Sequence, residues 1–94
     1  MRVCAVCGTT QNIHKHHVYG GANRKISESN GFTENLCGYH HNLSNEGVHF
    51  NHNLDRRFKE KHQMIFEGEK ILQGYTEDEA RKMFLVLIGK SYMR

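Results

Sequence analysis

Cysteine and histidine supply most of the reactive chemistry of this chain, and they are concentrated in one part of it. Among 94 residues there are eight histidines and three cysteines. Seven of the histidines lie between His14 and His52, and all three cysteines precede residue 38. Thiolate and imidazole groups are the ligands that zinc prefers in proteins. The uneven distribution therefore indicates a metal-binding N-terminal half.

Two pairs of these residues have the spacing of zinc knuckles. Cys4 and Cys7 form the first pair, Cys37 and His40 the second, and each pair encloses two residues. This spacing lets one turn present two ligands to a tetrahedral ion, and three thiolates with one imidazole make a closed, structural zinc site. Two alternatives are that the cysteines are buried as small hydrophobic residues, or that CxxC is redox-active. The second lacks the βαβ pattern that surrounds such motifs.

Three further histidines are predicted to share a functional site. His16 and His17 are adjacent and stand near the end of a candidate strand, just before Gly20-Gly21. His41 directly follows the second knuckle, which would fix its position relative to the rest of the chain. Isolated histidines are more often surface residues, and this is the expectation for His14, His52 and His62.

Short elements in the first half and helices in the second half must position these side chains. Strands are predicted at residues 13–19 and 32–36, the second after the turn dipeptide Asn30-Gly31. Helices are predicted at 53–66 and 77–88. The second begins at a Thr76–Glu79 capping box and ends before Gly89. The two helices are too short to be stable alone, so they are expected to dock through their apolar residues: Phe58, Ile65, Met83, Phe84 and Leu87.

Size and composition restrict the class of protein. A chain of 11.0 kDa forms one domain. An odd cysteine count argues against a disulfide framework. Neither a signal-peptide core nor a run of 18 apolar residues is present, so a cytoplasmic protein without membrane association is expected. The net charge of +3 and the pI near 8.9 give a mild bias toward anionic partners such as nucleic acid.

The combination of these motifs resembles a known family. The chain resembles the HNH endonucleases in the order of its motifs, which are CxxC, His-His-Val, an asparagine and then Leu-Cys-x-x-His-His-Asn. It is more narrowly similar to small HNH-like proteins of bacteriophages and prophages in two segments, HHVYGGANRK at 16–25 and LCGYHHNLSNEGVHFN at 36–51. The resemblance covers residues 4 to about 60. It implies an α+β fold: one zinc-stabilised ββα-metal (His-Me finger) domain, with the core in residues 1–52 and two C-terminal helices in 53–94. It also implies metal-dependent hydrolysis of DNA in the cytoplasm of a bacterial host cell.

The resemblance also implies a role for each site residue. His16 and His41 match the positions that ligate a catalytic divalent ion, Mg²⁺ or another, and His17 matches the general base that activates water. Asn45, one helical turn beyond His41, would be a further metal ligand or a phosphate contact. The middle asparagine departs from the family pattern, and Asn23 is favoured over Asn35 for that role.

The geometry of a strand sets a condition on this assignment. Successive residues of a regular strand point to opposite faces, so His16 and His17 could not both face one phosphate from ideal β geometry. The Gly20-Gly21 turn is therefore expected to end the strand early or to bend it, with an irregular loop there. A flat strand with both histidines in its middle would count against the active-site assignment.

Partner contacts are less specific. Arg24 and Lys25, after the glycine turn, and Lys15 are candidates to contact DNA phosphates. A non-catalytic zinc-binding adaptor on the same scaffold is the alternative function, although an adaptor has no need of a base beside two metal ligands. A transcriptional regulator would need a helix with a basic, base-reading face, which is absent from the pattern. The sequence leaves open whether the protein is a monomer or a homodimer.

Overall fold

Two short strands and four α-helices make up the described part of the chain, residues 2–93 of a computed structural model. The elements are β1 (Ile13–His17), α1 (Arg24–Asn30), β2 (Thr33–Cys37), α2 (Gly38–His41), α3 (His52–Leu72) and α4 (Glu77–Ile88), with a 3₁₀ turn at Gly21–Asn23 before α1. The strands form one two-stranded antiparallel sheet. The predicted α+β class is confirmed.

The first strand ends early, at His17, as expected, but it is regular through the His16-His17 pair, so the expectation of an irregular loop at these residues is wrong. In the antiparallel register His16 lies opposite Glu34 and His17 lies opposite Thr33. This pairing holds both histidines in extended backbone. The strand ends at His17 rather than at residue 19, and the chain bends from Val18 onward.

A short helix, α1, occupies the connection between the strands, where the sequence predicted only a turn. It ends at Gly31, which has a left-handed φ of +73°. Ser27 of α1 is fully buried, and its hydroxyl accepts a hydrogen bond from the Tyr19 N–H and donates one to the Tyr19 carbonyl oxygen. Both polar groups of Tyr19 are thus satisfied inside the protein, which anchors the connection.

The two C-terminal helices agree well with the sequence pattern. α4 has the predicted bounds, the Thr76–Glu79 capping box is present, and Gly89 adopts a φ of +96° after the last turn. α3 is longer than predicted and continues to Leu72, because the chain first turns at Gly74, whose φ is +104°.

The core lies where these helices meet the sheet. Tyr19 is at its centre: its ring packs against Phe32, Phe84 and Tyr92, and its hydroxyl donates to the Lys59 carbonyl oxygen at 2.6 Å. Of the five apolar residues expected to dock the helices, Phe58 and Phe84 are buried, Met83 and Leu87 are half-buried, and Ile65 is exposed. Within residues 2–93, no helix has the length and apolarity needed to cross a membrane.

Candidate metal centres

The four predicted knuckle residues come together. One potential ligand atom from each of four side chains lies within 4.8 Å of all the others: Cys4, Cys7, Cys37 and His40. The Sγ atoms of Cys7 and Cys37 are 3.8 Å apart, and the Cys37 Sγ lies 3.3 Å from the His40 Nδ1. Zn–S bonds of about 2.3 Å place two sulfurs of a tetrahedral site about 3.8 Å apart. The four residues could therefore hold a metal ion, and zinc fits.

Local backbone structure forms this cluster. The first knuckle is a tight turn closed by the Gly8 N–H on the Cys4 carbonyl oxygen at 2.9 Å, and Gly8 has the φ of +76° that such a turn requires. The Ala5 N–H donates to the Asn35 carbonyl oxygen at 2.8 Å, which fastens the knuckle to β2. The second knuckle arises where β2 passes directly into α2.

Cys4 is prepared to act as a thiolate. It is only 2% exposed, and burial alone would raise its pKa. Hydrogen bonds from the backbone N–H groups of Cys37, Cys7 and Val6 outweigh burial and lower the pKa of Cys4 from 9.0 to about 6. The thiolate is the form that binds metal, so at Cys4 the backbone favours the ligating state.

A second cluster of imidazoles stands beside the knuckle. His16, His41 and His49 each offer a ring nitrogen within 4.8 Å of the other two. The Nε2 atoms of His41 and His49 are 3.0 Å apart. Nitrogen ligands of one tetrahedral zinc ion, at about 2.0–2.1 Å from it, lie about 3.3 Å apart, so this spacing is close to that of a metal site.

His16 shows that the cluster fits a metal. It is 6% exposed, and its Nε2 is the one buried side-chain nitrogen or oxygen in residues 2–93 that has no hydrogen-bond partner. A buried polar atom without a partner costs free energy unless something else binds it. Burial, together with the imidazoles of His41 and His49, lowers the pKa of His16 from 6.5 to about 4. Its ring is therefore neutral at pH 7 and can donate a lone pair.

His49 is the residue that sequence reasoning missed, and a folded-back loop brings it to the site. After α2, the Val48 N–H donates to the His40 carbonyl oxygen at 2.8 Å and the His49 N–H donates to the His41 carbonyl oxygen at 3.2 Å. Gly47 makes this close return possible, because a Cβ atom there would lie 2.7 Å from the His41 carbonyl oxygen. The signal in the sequence was the segment Gly47-Val48-His49, which places another histidine eight residues after His41.

The premise for Asn45 is wrong. α2 ends at His41 with Asn42 as its C-cap, so no helical turn places Asn45 beside His41. Asn45 is exposed in the returning loop. Its role as a ligand or phosphate contact stays a prediction without the helical spacing that suggested it.

The predicted base, His17, lines a cleft together with the second cluster. The cleft is about 300 Å³ and is lined by Lys15, His16, His17, Gly20, Gly21, Arg24, His41 and His49. The His17 Nε2 lies 2.7 Å from Glu28 Oε2, and the Lys15 Nζ lies 2.7 Å from Glu28 Oε1. The hydrogen bonds from Lys15 and His17 lower the pKa of Glu28, which keeps this carboxylate ionised.

The predicted asparagines and Lys25 are not part of the cleft lining. The Asn23 amide donates to the Ile88 carbonyl oxygen at 2.9 Å and so ties the turn after β1 to the end of α4. Asn35 lies in β2 opposite Lys15. Lys25 is exposed on α1, whereas its neighbour Arg24 lines the cleft.

Two of the three histidines expected on the surface have partners inside the molecule. His14 Nδ1 lies 2.9 Å from His41 Nδ1. His62 is 8% exposed, and its Nε2 lies 2.6 Å from Glu34 Oε2. Only His52 of the three is exposed as expected. A single sequence gives no sign of these pairings, because the two partners are 27 residues apart in the first pair and 28 in the second.

Comparison with protein-family models, with curated proteins and with solved structures found no match for this chain. The resemblance to the HNH endonucleases therefore rests on the motif residues of this sequence.

Proposed function

We propose that this protein is a metal-dependent HNH endonuclease that hydrolyses DNA phosphodiester bonds. The observation that carries the proposal is the cleft in which His17 stands beside the His16, His41 and His49 cluster, with Lys15 and Arg24 in the same lining. It combines a candidate metal site, a candidate base and two cations suited to phosphate. The Cys4, Cys7, Cys37 and His40 cluster is proposed as the structural zinc site.

The three imidazoles of the second cluster would hold a divalent transition ion. Nitrogen ligands suit zinc, nickel, copper or iron, whereas Mg²⁺ prefers oxygen ligands, so this set favours a transition ion over the predicted Mg²⁺. Burial, with the neighbouring rings of His49 and His14, also lowers the pKa of His41. When bound, the ion would stabilise charge on the leaving oxygen of the phosphodiester.

His17 is proposed as the general base. Because its Nε2 is engaged by the Glu28 carboxylate, Nδ1 is the nitrogen left to take a proton from water. Histidine is the side chain that most often acts as a general base in proteins. Glu28 would hold the ring in one orientation and stabilise its protonated form after transfer. His16 and His17 point to opposite faces of β1. Because His17 is the last residue of the strand, next to the bend, both side chains nevertheless line the cleft.

Two cations would bind the substrate. Lys15 and Arg24 line the cleft, and the described chain shows no aromatic platform beside them on which unpaired bases could stack. Binding led by phosphate contacts is weakly selective for sequence. We therefore propose DNA cleavage with little sequence preference.

The test is cleavage of supercoiled plasmid by the purified protein with Mg²⁺, Mn²⁺, Ni²⁺ or Zn²⁺. The wild type should nick or linearise the plasmid, and His17→Ala should cut about 10²–10⁴-fold more slowly while retaining both metal sites. His52→Ala is the matched control, because His52 is exposed and lies outside the cleft lining. A His17→Ala protein as active as His52→Ala would refute the assignment of the base. A wild type that never cuts and holds one metal ion per chain would instead favour the adaptor function.

A further inference from the structure

A row of hydrogen bonds leads from the second cluster to the start of β1. His49 Nε2 lies 3.0 Å from His41 Nε2, and His41 Nδ1 lies 2.9 Å from His14 Nδ1. On its other side, His14 Nε2 lies 3.2 Å from Asn12 Oδ1. Each ring of His41 and His14 is therefore engaged at both of its nitrogens.

Asn12, at the end of the row, determines which ring nitrogen of each histidine carries the proton. An amide oxygen accepts hydrogen bonds and cannot donate them, so the proton of a neutral His14 ring must lie on Nε2. His14 Nδ1 is then an acceptor, and the proton of His41 must lie on Nδ1. The Nε2 of His41, which faces His49, is thereby left with its lone pair.

We infer that Asn12 and His14 are positioning residues that hold His41 in the orientation and tautomer in which Nε2 faces a metal ion. The inference rests on the second metal site of the proposed function. A histidine ligand commonly donates its other ring N–H to a fixed acceptor, and loss of that acceptor weakens metal binding 10–100-fold. Here the acceptor is a second imidazole whose own tautomer is fixed by an amide.

The backbone around Asn12 supports this role. Asn12 has a left-handed φ of +52°, the one non-glycine residue with positive φ in residues 2–93. Its carbonyl oxygen accepts from the Gly38 N–H at 3.0 Å, at the first residue of α2. A Cβ on Gly38 would lie 2.4 Å from the Asn12 Nδ2, so the glycine makes room for the amide. Asn12 is thus held to the helix that carries His41.

Nuclear magnetic resonance of the ring nitrogens tests the tautomer without a second metal. In ¹⁵N-histidine-labelled protein at pH 8, with zinc at the knuckle only, we expect His41 to carry its proton on Nδ1 and His14 on Nε2. In His14→Ala the preference of His41 for Nδ1 should be lost. A wild-type His41 protonated on Nε2 would overturn the inference, whatever the protein cleaves.

Titration with Co²⁺ of the same zinc-loaded protein tests the metal. His14→Ala should bind the second-site Co²⁺ 10–100-fold more weakly than wild type. His14→Asn should retain most of the affinity, because its Oδ1 can occupy the position of the ring Nδ1. Asn12→Gly, which keeps the positive φ, should show a smaller loss, and His52→Ala should show none.

The outcomes separate this inference from the proposed function. Equal Co²⁺ affinity in His14→Ala and wild type would overturn the positioning role and leave the metal site standing. A wild type that binds no Co²⁺ at His16, His41 and His49 would overturn the second metal site, and both proposals with it.

Discussion

Replacing Gly47 by alanine should weaken the second metal site and spare the first. A Cβ on residue 47 would lie 2.7 Å from the carbonyl oxygen of His41 and 2.8 Å from its carbonyl carbon, and both atoms belong to backbone. The returning loop must move away by about 0.7 Å to restore ordinary van der Waals contact. Two hydrogen bonds hold the loop, from the Val48 N–H to the His40 carbonyl oxygen at 2.8 Å and from the His49 N–H to the His41 carbonyl oxygen at 3.2 Å. The shift would lengthen them to about 3.5 and about 3.9 Å, which is at or beyond the limit for a hydrogen bond, so both would be lost.

The magnitude follows from those two bonds. Each backbone hydrogen bond contributes about 1 kcal/mol, so their loss costs about 2 kcal/mol. If the loop must recover its position for His49 to bind, the affinity for the second ion falls roughly 30-fold. The assay is a Co²⁺ titration of zinc-loaded protein, with the zinc content of the knuckle measured in the same samples.

Gly68→Ala is the matched control. Gly68 lies within α3, and a Cβ there would meet nothing within 4 Å. Alanine in a helix interior is more favourable than glycine by about 0.5–1 kcal/mol, so this variant should gain stability and bind Co²⁺ as wild type does. Gly47→Ala with unchanged Co²⁺ affinity would refute the argument that the returning loop places His49.

Two further predictions concern stability. Cys37→Ala should abolish zinc binding at the knuckle and leave the protein largely unfolded in circular dichroism, because a structural zinc ion contributes of order 10 kcal/mol to the free energy of folding. A folded, zinc-free variant would contradict the structural role. Burial alone would raise the pKa of Glu34, but hydrogen bonds and charge from His62 and Lys61 outweigh it and hold the pKa below its ordinary value of 4.5. A carboxyl group with a lowered folded pKa stabilises the protein above its unfolded pKa, and this stability is lost as pH falls through the folded value. In urea melts, wild type should therefore lose more stability than Glu34→Gln as pH falls below about 4.5, and parallel curves for the two proteins would contradict the prediction.

The sequence predicted well those elements that are determined by residues close together in the chain. The bounds of α4 followed from a capping box and a terminal glycine, and the knuckle ligands followed from their spacing, since both signals act within a few residues. α1 was missed because its main anchor, Ser27, is buried against Tyr19, a contact made by tertiary packing. Serine is a poor helix signal unless that contact is known.

The second cluster could be predicted only in part for a related reason. His16 and His41 stood out through adjacency to other motifs, whereas His49 depends on a loop that doubles back on α2. The assumption that α2 continues led to Asn45 instead. A four-residue helix has no periodicity that a sequence could reveal, so its end could not be located.

The two candidate centres share one four-residue element. In α2, His40 belongs to the cysteine cluster and the next residue, His41, to the histidine cluster. A helix of one turn does not persist on its own in water. With the first ion removed, α2 would be held by hydrogen bonds such as those from the Gly38 N–H to the Asn12 carbonyl oxygen and from the His49 N–H to the His41 carbonyl oxygen. His41 would then be less firmly positioned, so filling of the knuckle would favour filling of the cleft. A strong chelator that removes the ion from the cysteine cluster would therefore also weaken metal binding by the histidine cluster in the cleft.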